Sequence, residues 1–345
     1  MHILIAADLS LPVSAYGGVG RVVWWLGKAL SGMGHRVTFL VAKGSVCPFA
    51  EILYLDKRKP LQAQIPASAD IVHFHFDPKT DDIPAPWLMT MHDNAPESAV
   101  LHPNTVFLSS DHARRHGGEV FVYNGIDLSD YGNPDTDNPR RYFHFLGQAA
   151  MKVKNLKGAI EIAKAVNQRL HVIGGSRMSF EAGLRITLSP LIRFHGMLNN
   201  DGRNVILEQS KGLIFPVLWS EPFGLAIIES LYFGCPVFGT PYGSLPELLG
   251  RKPHAHAHAR SWTGEVDAFQ SEYGFLSVKK SEIAEAVRAA DSYDRATCKA
   301  YVVENFTSQR MARDYLALYE QVKAGKNLHD TAPGAIREST EFVFV

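Results

Sequence analysis

Short apolar runs separated by polar, glycine-bearing loops recur along the chain, and their order carries more information than any single run. HILIAAD (2–8) is the first, and the loop LSLPVSAYGG follows it. VGRVVWWLGKALSGMG (19–34) then places apolar residues at helical spacing, and RVTFLVA (36–42) is a second apolar run. Strand, loop, helix and strand make a βαβ unit, which calls for a parallel sheet with right-handed crossovers. Further buried strands are predicted at ADIVHFHF (69–76), PWLMTMH (86–92), TVFLSS (105–110) and EVFVYNG (119–125).

After a Pro-, Asn- and Asp-rich linker, YGNPDTDNPRR (131–141), the pattern restarts. RYFHFLGQA (141–149), QRLHVIGG (168–175), LIRFHGML (191–198), KGLIFPV (211–217) and PVFGT (236–240) read as strands. LKGAIEIAKAVN (156–167), NDGRNVILEQSK (200–211), LAIIESLYFG (225–234), SEIAEAVRAAD (281–291) and SQRMARDYLALYEQV (308–322) read as helices. The expected organisation is therefore α/β, with a first Rossmann-like domain over 1–130 and a second over about 136–307. Two such open units are expected to face each other, with ligands in the interdomain cleft at the carboxyl ends of the strands. The tail after Lys323 receives no assignment.

Composition agrees with this and narrows the function. A chain of 345 residues is too long for one ordinary core. Lys plus Arg and Asp plus Glu both number 35, so no global field favours nucleic acid. Up to Asp130 the chain holds ten basic against thirteen acidic residues, which argues against a polybasic membrane-docking face. Cys47, Cys235 and Cys298 are widely spaced and fit no metal or redox pattern, so reduced thiols and a cytoplasmic location are expected. MHILIAADLS lacks a basic n-region and reads as a first strand, and no apolar run approaches the ~20 residues that span a bilayer.

EPFGLAIIE (221–229) is the most informative stretch. Pro222 rigidifies a loop that opens a helix at Phe223 to Leu225, and Gly224 lets backbone approach a ligand closely. Free N–H groups at a helix start form an anion site suited to a diphosphate. Glu221 precedes the helix and Glu229 lies inside it, so one carboxylate can face a sugar while the other accepts bonds from ribose. On spacing alone, an N-capping acid and a surface glutamate fit equally well.

These residues resemble glycosyltransferase family 4, a family of retaining enzymes with the GT-B fold, whose signature is two glutamates flanking a Pro-Phe-Gly-Leu turn. ESLYFGCPVFGTPYGSLPELL (229–249) is similar to the family's following helix, strand and Gly-rich turn. YNGIDLSDY (123–131) resembles its interdomain entry, and NFTSQRMARDYLALYEQV (305–322) its last helix, which crosses back to the first domain. The resemblance implies transfer of a sugar from a nucleotide diphosphate sugar, UDP- or GDP-linked, to a small or glycan acceptor hydroxyl with retention, by same-face attack assisted by the leaving phosphate. It gives Glu221 the donor sugar hydroxyls, with Pro222 in the same turn, and Phe223, Gly224 and Leu225 the sugar and phosphate through backbone. Glu229 takes the ribose, while Gly17 and Gly18 approach the diphosphate from the opposite domain. Gly196 and Met197 also fall on the donor side. His92, at a strand's carboxyl end, matches the active-site histidine. His73 and His75 lie on a buried strand, where satisfied core histidines are the commoner case. Gly18 is equally what a tight turn before a helix needs. The loop is no dinucleotide fingerprint, because G-G-V-G lacks the G-x-G-x-x-G spacing.

One departure stands out. In LGQAAMKVKNLKG (146–158), Gln148 occupies the place of the family's phosphate-binding Arg, and a neutral amide cannot offset diphosphate charge as a guanidinium does. Lys154 falls at the usual lysine position with one extra residue before it, and Lys152 or Lys157 could serve instead. The fold class holds diphosphate through helix ends and cationic side chains, so no cofactor or metal is expected. HAHAHA (254–259) reads as an exposed loop, a metal site being the alternative. Rival functions are a non-catalytic nucleotide-sugar-binding protein, which Gln148 favours, and an epimerase or phosphorylase on the same architecture.

Overall fold

The computed structural model describes residues 1–13, 17–179, 185–251, 268–335 and 342–345. HAHAHA (254–259) lies outside them. The chain divides into two compact units: Met1–Asp127 with Phe306–Arg337, and Leu128–Asn305 with Glu338–Val345.

The first unit is built on six parallel strands: β1 (His2–Ala6), β2 (Arg36–Val41), β3 (Glu51–Tyr54), β4 (Ile71–Phe74), β5 (Trp87–Thr90) and β6 (Thr105–Val106). Their order is β3-β2-β1-β4-β5-β6, a doubly wound sheet that reverses direction between β1 and β4. Strands in such a sheet are covered on both faces, which is why they read as unbroken apolar runs rather than alternating ones. Helix α1 (Gly18–Gly32) buries Val22, Val23, Trp25, Leu26 and Leu30, the stripe that its 3.6-residue period defines. Gly27 is part of that face: a Cβ there would lie 2.2 Å from the Phe39 ring on β2.

Two expectations fail on the way to β6 and beyond. TVFLSS is strand only to Val106, because Ser109 leaves the sheet and accepts the backbone N–H of His112 at 3.1 Å. That bond caps a short helix, α2 (Ser110–Arg115). EVFVYNG forms one isolated bridge, Phe107 with Phe121, instead of a strand.

The second unit repeats the winding. Its sheet holds β7 (Tyr142–Leu146), β8 (Leu170–Ile173), β11 (Ile192–Phe194), β12 (Ser210–Phe215), β13 (Val237–Gly239), β14 (Phe269–Ser271) and β15 (Gly274–Leu276), while β9 (Met178–Ser179) and β10 (Arg185–Ile186) form a separate antiparallel pair. The order is β11-β8-β7-β12-β13-β15-β14, parallel except for β14 at the edge. The helices are α3 (Leu156–Ala165), α4 (Asn200–Glu208), α5 (Leu225–Tyr232), α6 (Leu245–Leu248), α7 (Lys280–Arg288) and α8 (Arg295–Asn305). The chain then returns to the first unit as α9 (Ser308–Lys323), packed on α1 and β5. Tyr315 and Tyr319 of α9 are buried there. The tail ends on the second unit, where Val345 carbonyl accepts from the Lys280 amide at 2.6 Å and the Tyr242 hydroxyl bonds Val343. Among the described residues no helix is long and apolar enough to cross a membrane.

Candidate functional site

In each unit most candidate residues lie beyond the carboxyl ends of strands, where open α/β sheets bind ligands. In the second unit, β7 runs into Gly147 and an exposed Gln148, and a 3-10 turn at Lys152–Lys154 comes next. Asn155, held at φ 51°, caps α3 through the Gly158 amide at 3.0 Å and donates to Pro216 carbonyl at 2.9 Å. The amide of Leu218 bonds Val153 carbonyl at 2.7 Å. These bonds fasten the turn to the chain leaving β12, so Lys154 is placed by backbone on both sides.

Lys154 meets Glu221 there. Its ammonium lies 2.5 Å from Glu221 Oε2, and the Trp219 indole N–H donates to the same oxygen at 2.8 Å. The ammonium also sits 4.6 Å from the Trp219 ring centroid, within cation–π range. Glu221 is only 6% exposed, and burying a carboxylate so deeply requires this pairing. Behind it, Gly243 at φ 65° passes so close that a Cβ would stand 2.2 Å from the Glu221 amide nitrogen. Ser244 donates its amide to Glu221 carbonyl at 3.0 Å and its hydroxyl to Phe223 carbonyl at 2.5 Å. Gly224, at φ 97°, begins α5, and no side chain among the described residues caps that helix. The Ile227 amide bonds Gly224 carbonyl at 2.9 Å, and a helix start without a side-chain cap is suited to an anion.

Glu229 occupies the next turn of α5 and is 0% exposed. Its Oε1 accepts from Tyr131 hydroxyl at 2.7 Å and from Arg203 at 3.0 Å, and that guanidinium lies 4.7 Å from the Tyr131 ring centroid. The carboxylate is sealed from solvent, so a ribose contact needs its neighbours to move. Gly196, at φ 68°, joins Gly174 and Gly175 through paired backbone bonds beyond β11, and Met197 is 52% exposed. Lys152 and Lys157 are exposed, and Lys157 lies 4.0 Å from Glu161.

In the first unit Gly17 and Gly18 open α1, again with no side-chain cap among the described residues. His92 follows β5 and is half-buried, and burial lowers it to about 4. Its Nε2 lies 2.8 Å from Nδ1 of His75, which follows β4. His73 behaves as the core histidine expected, with Tyr319 hydroxyl at 2.8 Å on Nδ1 and Thr90 hydroxyl at 2.7 Å on Nε2. His75 does not, because it contacts the candidate site residue directly. The loop after His92 is held by α2, where His112 donates to Asp93 carbonyl at 3.2 Å and Arg115 to Asn94 at 2.7 Å.

With that geometry in place, the comparisons with known proteins bear on it. Residues 140–269 match the family described as Glycosyl transferases group 1. That segment contains Gln148, Lys154, Gly196, Met197, Trp219, Glu221 to Leu225, Glu229 and Gly243. A stretch of 104 residues is 32% identical to a probable sucrose-phosphate synthase of Thermosipho melanesiensis, covering 29% of this chain and 20% of that protein. The structure of AviGT4, a glycosyltransferase involved in avilamycin A biosynthesis, superposes with a TM-score of 0.71 at 18% identity over 94% of this chain and 98% of that one. Anabaena HepE, solved with UDP and glucose, gives 0.63 at 13% identity over 92% and 99%. Both span the two units, so the pair of Rossmann-like sheets with a returning C-terminal helix is the fold of GT-B glycosyltransferases.

Trp219, Tyr131, Arg203, Gly243 and Ser244 surround the two candidate glutamates, and none receives a role of its own from the sequence. Trp219 was signalled by standing two residues before Glu221 in the same loop. Tyr131 closes the quoted YNGIDLSDY stretch, but both it and Arg203 lie far from Glu229 in sequence, so their pairing with it is not visible there.

Proposed function

We propose that this chain transfers a sugar from a nucleoside diphosphate sugar to an acceptor hydroxyl, with retention of configuration. The observation that carries this reading is the Lys154–Glu221–Trp219 constellation, set just ahead of an uncapped helix start within the segment that matches Glycosyl transferases group 1. The diphosphate is taken by the α5 N-terminus and by Lys154, which leaves Glu221 to swing onto phosphate as negative charge grows on the leaving group. Glu221, freed from the ammonium but still held by Trp219, accepts from donor sugar hydroxyls. Glu229, paired with Arg203, is the ribose acceptor. Gly17 and Gly18 supply backbone N–H groups to phosphate, and His92 bonds the sugar. Departure of the nucleoside diphosphate and attack by the acceptor oxygen on the same face pass through an oxocarbenium-like state. The donor is UDP- or GDP-linked, in keeping with the UDP and glucose bound to Anabaena HepE. The acceptor is a small molecule or glycan.

Gln148 favours a second reading, binding without turnover, because it is exposed and neutral where a cation on the phosphates is expected. The deciding experiment is calorimetric titration with UDP, GDP, ADP and dTDP, followed by incubation of the tightest base's sugar conjugates with mono- and oligosaccharides. Acceptor-dependent release of nucleoside diphosphate supports transfer. Tight binding without release supports the second reading, and no binding by any nucleotide overturns both.

A further inference from the structure

We infer that His75 fixes the tautomer of His92: His75 Nδ1–H donates to His92 Nε2, so His92 carries its proton on Nδ1 and meets a ligand as a neutral hydrogen-bond donor. That the ligand is a donor sugar rests on the function proposed above, whereas the tautomer follows from the two rings themselves.

The two nitrogens are 2.8 Å apart, and the rings are inclined by 26° at a centroid separation of 5.1 Å. Between two neutral imidazoles such a bond contains one proton, and the open question is which ring owns it. The other nitrogen of His75 answers it. His75 Nε2 is enclosed and has no hydrogen-bond partner among the described residues. A proton on that atom would leave a buried N–H unsatisfied, which costs the full desolvation penalty of that group. A proton on Nδ1 leaves only a lone pair there, and under-satisfied buried acceptors are the more tolerable of the two. The proton therefore sits on Nδ1, in the bond, and His92 Nε2 accepts it.

The surroundings hold this arrangement. His73 stacks on the opposite side of His75 at 4.2 Å and 28°, and is itself tied at both nitrogens, to Tyr319 and Thr90. His75 is thus sandwiched between a ring that cannot turn and the ring it orients. Burial keeps both His75 and His92 neutral at ordinary pH, so neither bond end gains a second proton. A His92 whose Nε2 lone pair is occupied has none left to take a proton from an acceptor hydroxyl. Its role is to donate one N–H to an oxygen, and His75 is a positioning residue.

The test is a two-bond proton–nitrogen correlation spectrum of the full chain labelled with 15N-histidine, recorded near pH 7.5 without ligand. His92 is assigned by the signals that vanish in His92→Gln. The expected pattern is a pyrrole-like Nδ1 and a pyridine-like Nε2. His75→Asn, whose amide nitrogen stands where Nδ1 stood, retains it, while His75→Leu shifts His92 toward the Nε2–H form. A pyrrole-like Nε2 in the wild type overturns the proposal, and so does an unchanged pattern in His75→Leu. A merely structural His75 would lower the melting temperature in both variants without this split between them. The spectrum does not depend on nucleotide binding, so failure of the proposed function and failure of this inference are read separately.

Discussion

At the scale of single residues, the pairing of Lys154 with Glu221 neutralises a buried carboxylate, and the proposed function gives the same ammonium a second role on phosphate. Lys154→Met is expected to cost about 3 kcal/mol of stability, since it strands Glu221 among Trp219 and buried backbone. It is also expected to weaken nucleoside diphosphate binding at least about tenfold, the loss of one charge-assisted bond. Denaturant unfolding and calorimetry measure the two separately, and undiminished affinity would remove Lys154 from the phosphates. Gln148 gives the opposite experiment. Its side chain is exposed at the carboxyl end of β7, so Gln148→Arg adds a guanidinium without breaking a buried contact. Affinity for a nucleoside diphosphate should tighten about tenfold, worth ~1.4 kcal/mol. No gain in the titration means that this position does not face the phosphates.

At the scale of elements, the loop between β13 and α6 is the least expected part of the site. It supports Glu221 from behind through Gly243 and Ser244, and it does so by contact with backbone. Gly243→Ala sets a methyl group within 2.2 Å of the Glu221 amide nitrogen at a φ that disfavours side chains, so at least about 2 kcal/mol of stability should be lost. The donor affinity should fall with it, and a variant that binds nucleotide normally would show that Glu221 is placed by other means. Legibility in the sequence divides along the same line. The apolar runs of both sheets and the turn EPFGLAIIE are visible because Pro, Gly and local period dictate them. The clamp on Glu221, the Arg203–Glu229–Tyr131 cluster and the His75–His92 bond are not, because each joins residues from separate helices or loops that only the doubly wound order brings together. The failures at TVFLSS and EVFVYNG have a local cause. Both are apolar enough for strand, but a serine cap and a single bridge to Phe107 divert them.

At the scale of the whole molecule, the buried histidines set how the fold meets acid. In the unfolded chain an imidazole takes up its proton near pH 6.5, but burial lowers His92 and His171 to about 4 and His144 to about 3. Between those values the unfolded state binds more protons than the folded one. Stability is therefore complete above about pH 6.5 and declines as pH falls, by up to about 1.4 kcal/mol per pH unit for each such histidine. Melting temperatures measured from about pH 8 to pH 5 should be level at first and then drop, well before carboxylates protonate. A level profile down to pH 5 would contradict the burial of these rings. The return of α9 has a consequence for the order in which the molecule comes into being. A ribosome releases the six strands of the first sheet long before the helix that supplies Tyr315 and Tyr319, and everything from Leu128 to Asn305 emerges in between. Until that helix arrives, His73 and Thr90 lack their tyrosine partners and one face of the sheet lacks its cover. The second unit is nearly contiguous in sequence, whereas the first is complete only once α9 has been made, so synthesis order sets the two units different conditions for closing.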